Sequence, residues 1–270
     1  MKYVLLTIAA VAICGGIGIF FVVRAHRKER LSKKKMQSAL YAIEIIVVLV
    51  MAALFVFLGM FYNPEGKAWA AMEGNGNVTV SRVRGGYFFD GSSEDTAMVF
   101  YPGGRVACEA YAPLMLSLAE NGCDCFLAEM PMNLALFDMN AAEKYMNAYS
   151  YDIWLLGGHS LGGVSASVYA QNHAEEVDGM MLLAAYPSVK TDDSVKVCLL
   201  YGSEDGCLEM DKYEESRENW PENTTEVVIE GGNHSQFGDY GHQRGDGEAT
   251  IPAEEQIRQT VDALKAFFEE

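Results

Sequence analysis

Apolar and polar positions divide the chain into stretches of different character. Tyr3 to Val23 is almost wholly apolar. Arg24 to Lys35 carries seven Lys/Arg and one Glu, and Ala39 to Tyr62 is apolar again apart from Glu44. Each apolar stretch has about the ~20 residues that a helix needs to cross a bilayer. Residues 63–76 read as a linker. Beyond them the pattern changes to short apolar runs alternating with segments of helical spacing. "NVTVSRV" and "GGYFFDG" predict an antiparallel hairpin, and "TAMVFYP", "CDCFLAEM", "DIWLLGG", "VDGMMLLAAYP", "VKVCLLYG" and "TEVVIEGG" predict further strands. Helices are expected over 107–122, 140–149, 161–173, 210–219 and 252–268. Continuous apolar strands separated by helices imply a mostly parallel sheet of about eight strands, covered by helices on both faces. The fold class is therefore α/β, in a domain spanning 77–270.

The N-terminal part reads as a membrane anchor of one or two transmembrane helices, at about 3–23 and 39–62, joined by a basic loop at 24–36. A cleaved leader is the rival reading for the first span, but its n-region holds only Lys2 and no clear small-residue cleavage site follows. The basic loop belongs in the cytoplasm by the positive-inside rule, which puts everything after Tyr62 on the extracytoplasmic side of the cell membrane. Ala10, Cys14 and Gly18, and likewise Ala12 and Gly16, recur every four residues, a spacing that lets two membrane helices approach closely.

Charge narrows the partners. The whole chain has a formal net charge of −17, yet residues 64–270 hold 12 Lys/Arg against 35 Asp/Glu, a net of −23. Such a surface lacks the basic footprint that nucleic acid requires. Six cysteines are present. They read as buried thiols, with Cys198 and Cys207 the pair open to bridging in an oxidising compartment. The chain shows no cluster with metal-ligand spacing, no nucleotide-binding loop and no cofactor motif, and nothing in it sets an oligomeric state.

The candidate chemistry begins at "GGHSLGG". Gly158 to Gly162 fits G-x-S-x-G where a strand meets a helix. Such a turn lifts the Ser160 hydroxyl above the sheet, and Gly158 and Gly162 offer no Cβ to collide with it. Ser165 and Ser167 read as helix-packing residues. A serine hydroxyl needs a base. Of five histidines, His234 follows the strand "TEVVIEGG" at its carboxyl end, where open α/β sheets collect their sites. His159 is badly placed to take the serine proton and reads as a packing residue, and His242 lies in a polar loop. The base needs an acid to fix its tautomer. Asp205, in a turn after "VKVCLLYG", supplies it, whereas Asp178 belongs to the opposite end of the sheet and Glu204 should point elsewhere. An oxyanion needs fixed donors. Leu161 N–H is one; Gly104, or else Gly103, in "FYPGGRV" supplies the second, with Tyr101 and Arg105 as candidate pocket residues.

These residues resemble the α/β-hydrolase superfamily over roughly 78–270. The likeness is greatest to a small lidless branch near the dienelactone-hydrolase-like proteins. "VFYPGGRVACEAYAPLMLSLAENG", "GGHSLGG" and "GGNHSQFGDYGHQRGDGEATIPAEEQ" carry it. The resemblance implies that Gln236 to Gln256 shape the site mouth behind His234. It departs at two points. Tyr101-Pro102 stands where lipase-type relatives begin the oxyanion motif with His, and Ser160 stands where dienelactone hydrolases proper use Cys. Only Ser188 to Ser194 connects two of the strands, too short for a helical lid, so the pocket should be open. The expected activity is that of a membrane-tethered serine hydrolase of carboxylic esters, acting without a cofactor on short or polar acyl groups or the ends of larger substrates, with bulky lipid left open by the tether. An acyltransferase with the same triad fits the same residues, and a non-catalytic binding protein on this fold is the alternative of another class.

Overall fold

A computed structural model describes residues 2–28, 32–91, 93 and 95–269. The chain forms two compact units, 1–60 and 61–270. The first consists of helices α1 (Lys2–Arg27) and α2 (Lys33–Gly59). Among the described residues one helix is long and apolar enough to cross a membrane, over Lys33–Leu54. It begins before the expected 39–62 because the helix continues through the lysine cluster. The first expected span, 3–23, lies within α1, but the side chains of residues 1–10, 12 and 14, and with them Ala10, Ala12 and Cys14 of the expected repeat, lie outside the described residues. A Cβ added at Gly15 would stand 3.1 Å from the Val47 side chain, and one at Gly18 3.3 Å from Ile43. Gly18 of the expected repeat thus faces α2, whereas Gly16 meets nothing within 4 Å and Gly15 takes its place.

The second unit opens with α3 (Gly66–Met72), inside the stretch expected to be a linker. Ala68 and Ala71 are buried, and Ala68 N–H donates to Asp239 Oδ2 at 2.7 Å. Two small residues three apart suffice to bury a helix of about two turns, too little apolar periodicity to read from the chain. Tyr62 is sewn in as well. Its N–H donates to Arg105 O at 2.8 Å, its carbonyl accepts from Ala107 N–H at 3.0 Å, and its hydroxyl accepts from Arg244 N–H at 3.1 Å.

Strands β1 (Thr79–Val83), β2 (Gly86–Asp90) and β3 (Thr96–Tyr101) precede α4 (Ala112–Glu120) and β4 (Asp124–Ala128). Then come α5 (Glu143–Met146), β5 (Ile153–His159), α6 (Leu161–Asn172), β6 (Gly179–Leu183) and β7 (Lys196–Gly202). Helix α7 (Met210–Glu215), β8 (Thr224–Ile229) and α8 (Ala253–Glu269) complete the unit. All eight strands form one sheet in the order β1-β2-β4-β3-β5-β6-β7-β8. The predicted hairpin pairs Val83 with Gly86 across Arg84-Gly85, and Gly85 at φ +92° makes the two-residue turn. Strand β2 runs antiparallel to both neighbours, and the rest of the sheet is parallel.

Side chains alternate across each parallel strand, so one strand feeds two cores. Met98 and Phe100 of β3, Leu155 of β5 and Met181 and Leu183 of β6 join the core under α4 and α8. Ala97, Val99, Trp154, Leu156, Met180 and Leu182 join the opposite core with α5, α6 and α7. This is why the strands read as unbroken apolar runs. The expected helix over 140–149 is helical only at Glu143–Met146, and that over 107–122 opens as a tighter turn at Cys108–Tyr111, ahead of Pro113 at the start of α4. The chain leaves β3 toward β4 on one side and β5 toward β6 on the other. Their carboxyl ends flank the crevice where open α/β sheets place ligands.

Candidate active site

The turn from β5 to α6 holds Ser160 at φ +51° and ψ −124°. A non-glycine residue there carries strain of about 1–3 kcal/mol. The turn is locked from both sides: Ser160 N–H donates to Leu183 O at 2.9 Å, and Ser160 O accepts from Val164 N–H at 3.1 Å. Close approach explains the flanking glycines. A Cβ at Gly162 would lie 2.2 Å from Tyr101 O and 2.3 Å from Pro102 O, and one at Gly158 2.6 Å from Gly163 N. These are backbone atoms that cannot rotate away. Gly162→Ala is therefore expected to lower stability by about 3 kcal/mol or more, read as a drop in the urea midpoint. An unchanged midpoint would show that the turn has room to move. Ser165 and Ser167 hydroxyls donate to Leu161 O and Val164 O at 2.9 and 2.8 Å, inside the helix packing.

His234 and Asp205 meet at the carboxyl ends of β8 and β7. Asp205 Oδ1 accepts the N–H groups of Cys207 and Leu208 at 2.8 and 2.7 Å. Its Oδ2 stands 2.9 Å from His234 Nδ1, and both side chains are 2 % exposed. A carboxylate acceptor places the imidazole proton on Nδ1, leaving a lone pair on Nε2. That Nε2 is buried and has no hydrogen-bond partner among the described residues. Ser160 makes no hydrogen bond to it, a looseness common before substrate binds. Ser160 and His234 line one cavity of 190 Å³, walled by Leu161, Val164, Ala184, Ala185, Tyr186 and Leu208, with Cys207 and Glu209 at its edge. Ala184 is itself at φ +46°. No helix lies between β6 and β7 among the described residues.

The structure separates the two glycines that sequence left open. Gly103 N–H donates to Tyr111 Oη at 3.1 Å, so it is occupied. Gly103 O accepts from Val106 N–H at 3.2 Å. Gly104 N–H belongs to the same planar peptide as Gly103 O and points the opposite way; it has no partner among the described residues. Gly104 lies beside Leu161, whose Cδ2 would be 3.0 Å from a Cβ added there. Leu161 N–H is in the first turn of α6, where helical N–H groups lack intrahelical partners.

Other expectations are relocated. Tyr101 is fully buried; its hydroxyl donates to Met139 O at 2.7 Å and accepts from Ala142 N–H at 2.9 Å, away from the cavity. Arg105 does not line the cavity either; its N–H donates to Asn133 O at 2.6 Å. Asp178 holds Trp154 N–H at 2.8 Å at the amino end of β5, and Glu204 faces solvent. His242 lines a separate cavity of 280 Å³ with Glu65, Asp239 and Glu248. Cys108, Cys123, Cys125, Cys198 and Cys207 are all free thiols, so Cys198 and Cys207 are unbridged. Cys198 is fully buried in the core on β7.

Much of what holds His234 was not individually visible in the chain. Asp246 accepts from the N–H groups of His234, Ser235, Gly206 and Gly247 at 3.2, 2.8, 3.1 and 2.9 Å, and from the Ser235 hydroxyl at 2.5 Å. Gln256, fully buried, clamps Asn233 twice: Oε1 accepts its N–H at 3.0 Å and Nε2 donates to its carbonyl at 2.8 Å. Residues of the stretch expected to shape the mouth thus cage the histidine. Burial pushes the Asp246 pKa up, but the Ser235 hydroxyl and the surrounding N–H groups outweigh it and hold the carboxyl below its ordinary range. A depressed folded pKa stabilises the protein above the unfolded value, near pH 4, and this contribution fades as pH falls through the folded value. Asp246→Ala should thus lose stability most at neutral pH, with the gap to wild type narrowing below about pH 4. Urea unfolding at several pH values reads this; a pH-independent gap would contradict it.

The alpha/beta hydrolase family model matches residues 97–258, more than half of the chain. Solved structures share the fold. The Thermus thermophilus protein TT1662 superposes with a TM-score of 0.53 at 16 % identity, covering 72 % of this chain and 99 % of its own. The carboxylesterase CesB from Bacillus subtilis does so at 0.51 and 10 %, covering 75 % and 94 %. Dienelactone hydrolase from Anabaena variabilis does so at 0.50 and 14 %, covering 70 % and 96 %. No curated protein sequence matches the chain. A core sheet in the order β2-β4-β3-β5-β6-β7-β8, the serine turn between β5 and α6, and the family match agree: the chain belongs to the alpha/beta hydrolase family.

Proposed function

We propose that this protein is a serine hydrolase of carboxylic esters, tethered to the cell membrane by its N-terminal helices with residues 64–270 on the extracytoplasmic side. The observation that carries this reading is the buried Asp205–His234 pair, whose Nε2 has no hydrogen-bond partner among the described residues and whose histidine lines the same small cavity as the strained Ser160. Ser160 Oγ attacks the ester carbonyl while His234 Nε2 takes its proton. Asp205 keeps the imidazole in the required tautomer and stabilises its cation. The N–H groups of Leu161 and Gly104 hold the oxyanion. His234 then returns the proton to the departing alcohol, and water releases the acyl group by the same steps. A cavity of 190 Å³ walled by Val164, Ala184, Ala185 and Leu208 suits a short acyl group. That a carboxylesterase has this fold supports an ester substrate by fold analogy alone. The apolar helix at Lys33–Leu54 and the basic cluster before it support the tether and its orientation.

One experiment tests both parts. A charged, membrane-impermeant fluorophosphonate is added to intact cells and the adduct is mapped by peptide mass spectrometry. Labelling at Ser160 is expected. Labelling only after permeabilisation would reverse the orientation, and a folded protein that takes no label would remove the serine mechanism.

A further inference from the structure

Tyr111 and His159 form a buried strut between the two glycines after β3 and the residue next to Ser160. Both side chains are fully buried. Tyr111 ends the turn that leads into α4, and His159 ends β5. Tyr111 Oη lies 3.1 Å from Gly103 N and 2.7 Å from His159 Nδ1. The direction of the protons follows from chemistry. Gly103 N–H can only donate, so Tyr111 Oη accepts there, and donation to His159 Nδ1 is the arrangement that gives the phenol proton an acceptor. Nδ1 is then bare, and His159 carries its proton on Nε2, which is buried and has no hydrogen-bond partner among the described residues. Burial, together with the charge His234 would carry, holds the His159 pKa well below its ordinary value, and burial raises that of Tyr111, so neither group ionises. The far side of the His159 ring packs on His234, ring centres 4.4 Å apart, and on Phe237 at 5.6 Å.

We infer that Tyr111 and His159 are positioning residues that aim the Gly104 N–H at the oxyanion and tie it to the serine turn and the base. Gly103 and Gly104 are the residues least able to hold a direction by themselves, because no Cβ restricts them. The strut anchors Gly103 by its N–H, and Val106 anchors the same residue by its carbonyl. With both ends held, the Gly103–Gly104 peptide plane has one orientation. A hydroxyl acting between a loop and a histidine adds nothing to substrate binding in the ground state. Its effect belongs to the transition state, when the oxyanion forms.

The inference rests on the serine-hydrolase reading, and the test separates the two. Tyr111→Phe keeps the ring and its packing and removes the hydroxyl. It is expected to lower kcat on a short-chain nitrophenyl ester about 10- to 100-fold, with KM within about threefold. Affinity for a trifluoromethyl ketone, which forms an oxyanion on the serine, should fall by the same factor. His159→Asn, which leaves a carbonyl oxygen near the place of Nδ1, should retain most activity, and His159→Leu should match Tyr111→Phe. In wild type, long-range proton–nitrogen NMR should show His159 with a bare Nδ1 and a protonated Nε2 across the whole pH range in which the protein stays folded. A Tyr111→Phe enzyme with unchanged kcat and ketone affinity, or a His159 protonated on Nδ1, would overturn the inference. A wild type that neither turns over ester nor binds the ketone would overturn the serine mechanism instead, while leaving the NMR result to judge the strut.

Discussion

Ser160→Ala is expected to lower kcat on an activated ester by a factor on the order of 10⁶, to be measured by steady-state hydrolysis with the fold checked by circular dichroism. The size of the loss follows from what the other groups do alone. Without Oγ, the Asp205–His234 pair has no nucleophile to deprotonate, and the oxyanion donors and cavity retain a small part of the acceleration. Stability should move in the opposite sense to activity. Ser160 sits at φ +51°, where a side chain is strained. Ser160→Gly removes the Cβ and should raise stability by about 1 kcal/mol, a gain made at the expense of function. Residual activity within tenfold of wild type in Ser160→Ala would mean that another group attacks the ester.

Asp205→Asn is expected to lower kcat by about 10⁴ with little change in KM. The surrounding hydrogen bonds dictate why. Cys207 and Leu208 N–H groups require an acceptor at the Oδ1 position, 2.8 and 2.7 Å away. An asparagine satisfies them only by placing its carbonyl oxygen there, which turns its NH₂ toward His234. A donor now faces Nδ1, so the imidazole moves its proton to Nε2. That nitrogen can no longer accept the serine proton, although no atom has moved far. The same NMR experiment that reads His159 reads this exchange of tautomers at His234. An Asp205→Asn enzyme with kcat within tenfold of wild type would show that the pair does not act as a base.

Surface charge and the segment before the sheet bear on the surroundings of the candidate site. The net charge of −23 over residues 64–270 disfavours anionic esters at long range. Tyr62 is bonded to Arg105 and Ala107 in the loop after Gly103–Gly104 and to Arg244 in the loop after His234. The segment immediately after the apolar helix is thus part of the scaffold around the site.

The strand runs and their order were legible because parallel strands are buried on both faces, and burial leaves an unbroken apolar signature. Short helices were less legible. α3 buries two alanines and α5 is a single turn, so neither carries a periodic stripe. Ser160, Asp205 and His234 were readable as candidates because each follows a strand, and a strand end is a position that the chain itself announces. The glycines around Ser160 were readable because the turn tolerates no Cβ.

Contacts between distant segments are a different matter. The contact of Tyr111 with His159, 48 residues on, has no local pattern. Nor do the five bonds gathered by Asp246 or the two-way clamp of Gln256, whose partners lie on other loops. The sequence by itself determined the architecture and the chain order of the candidate triad, because these depend on residue type and local periodicity. Only the tertiary structure decided that Gly103 N–H is occupied and Gly104 N–H is not, that Tyr101 points into the core, and that Tyr111 and His159 meet. Those outcomes depend on which donors and acceptors folding leaves unpaired, and that is a property of three-dimensional proximity.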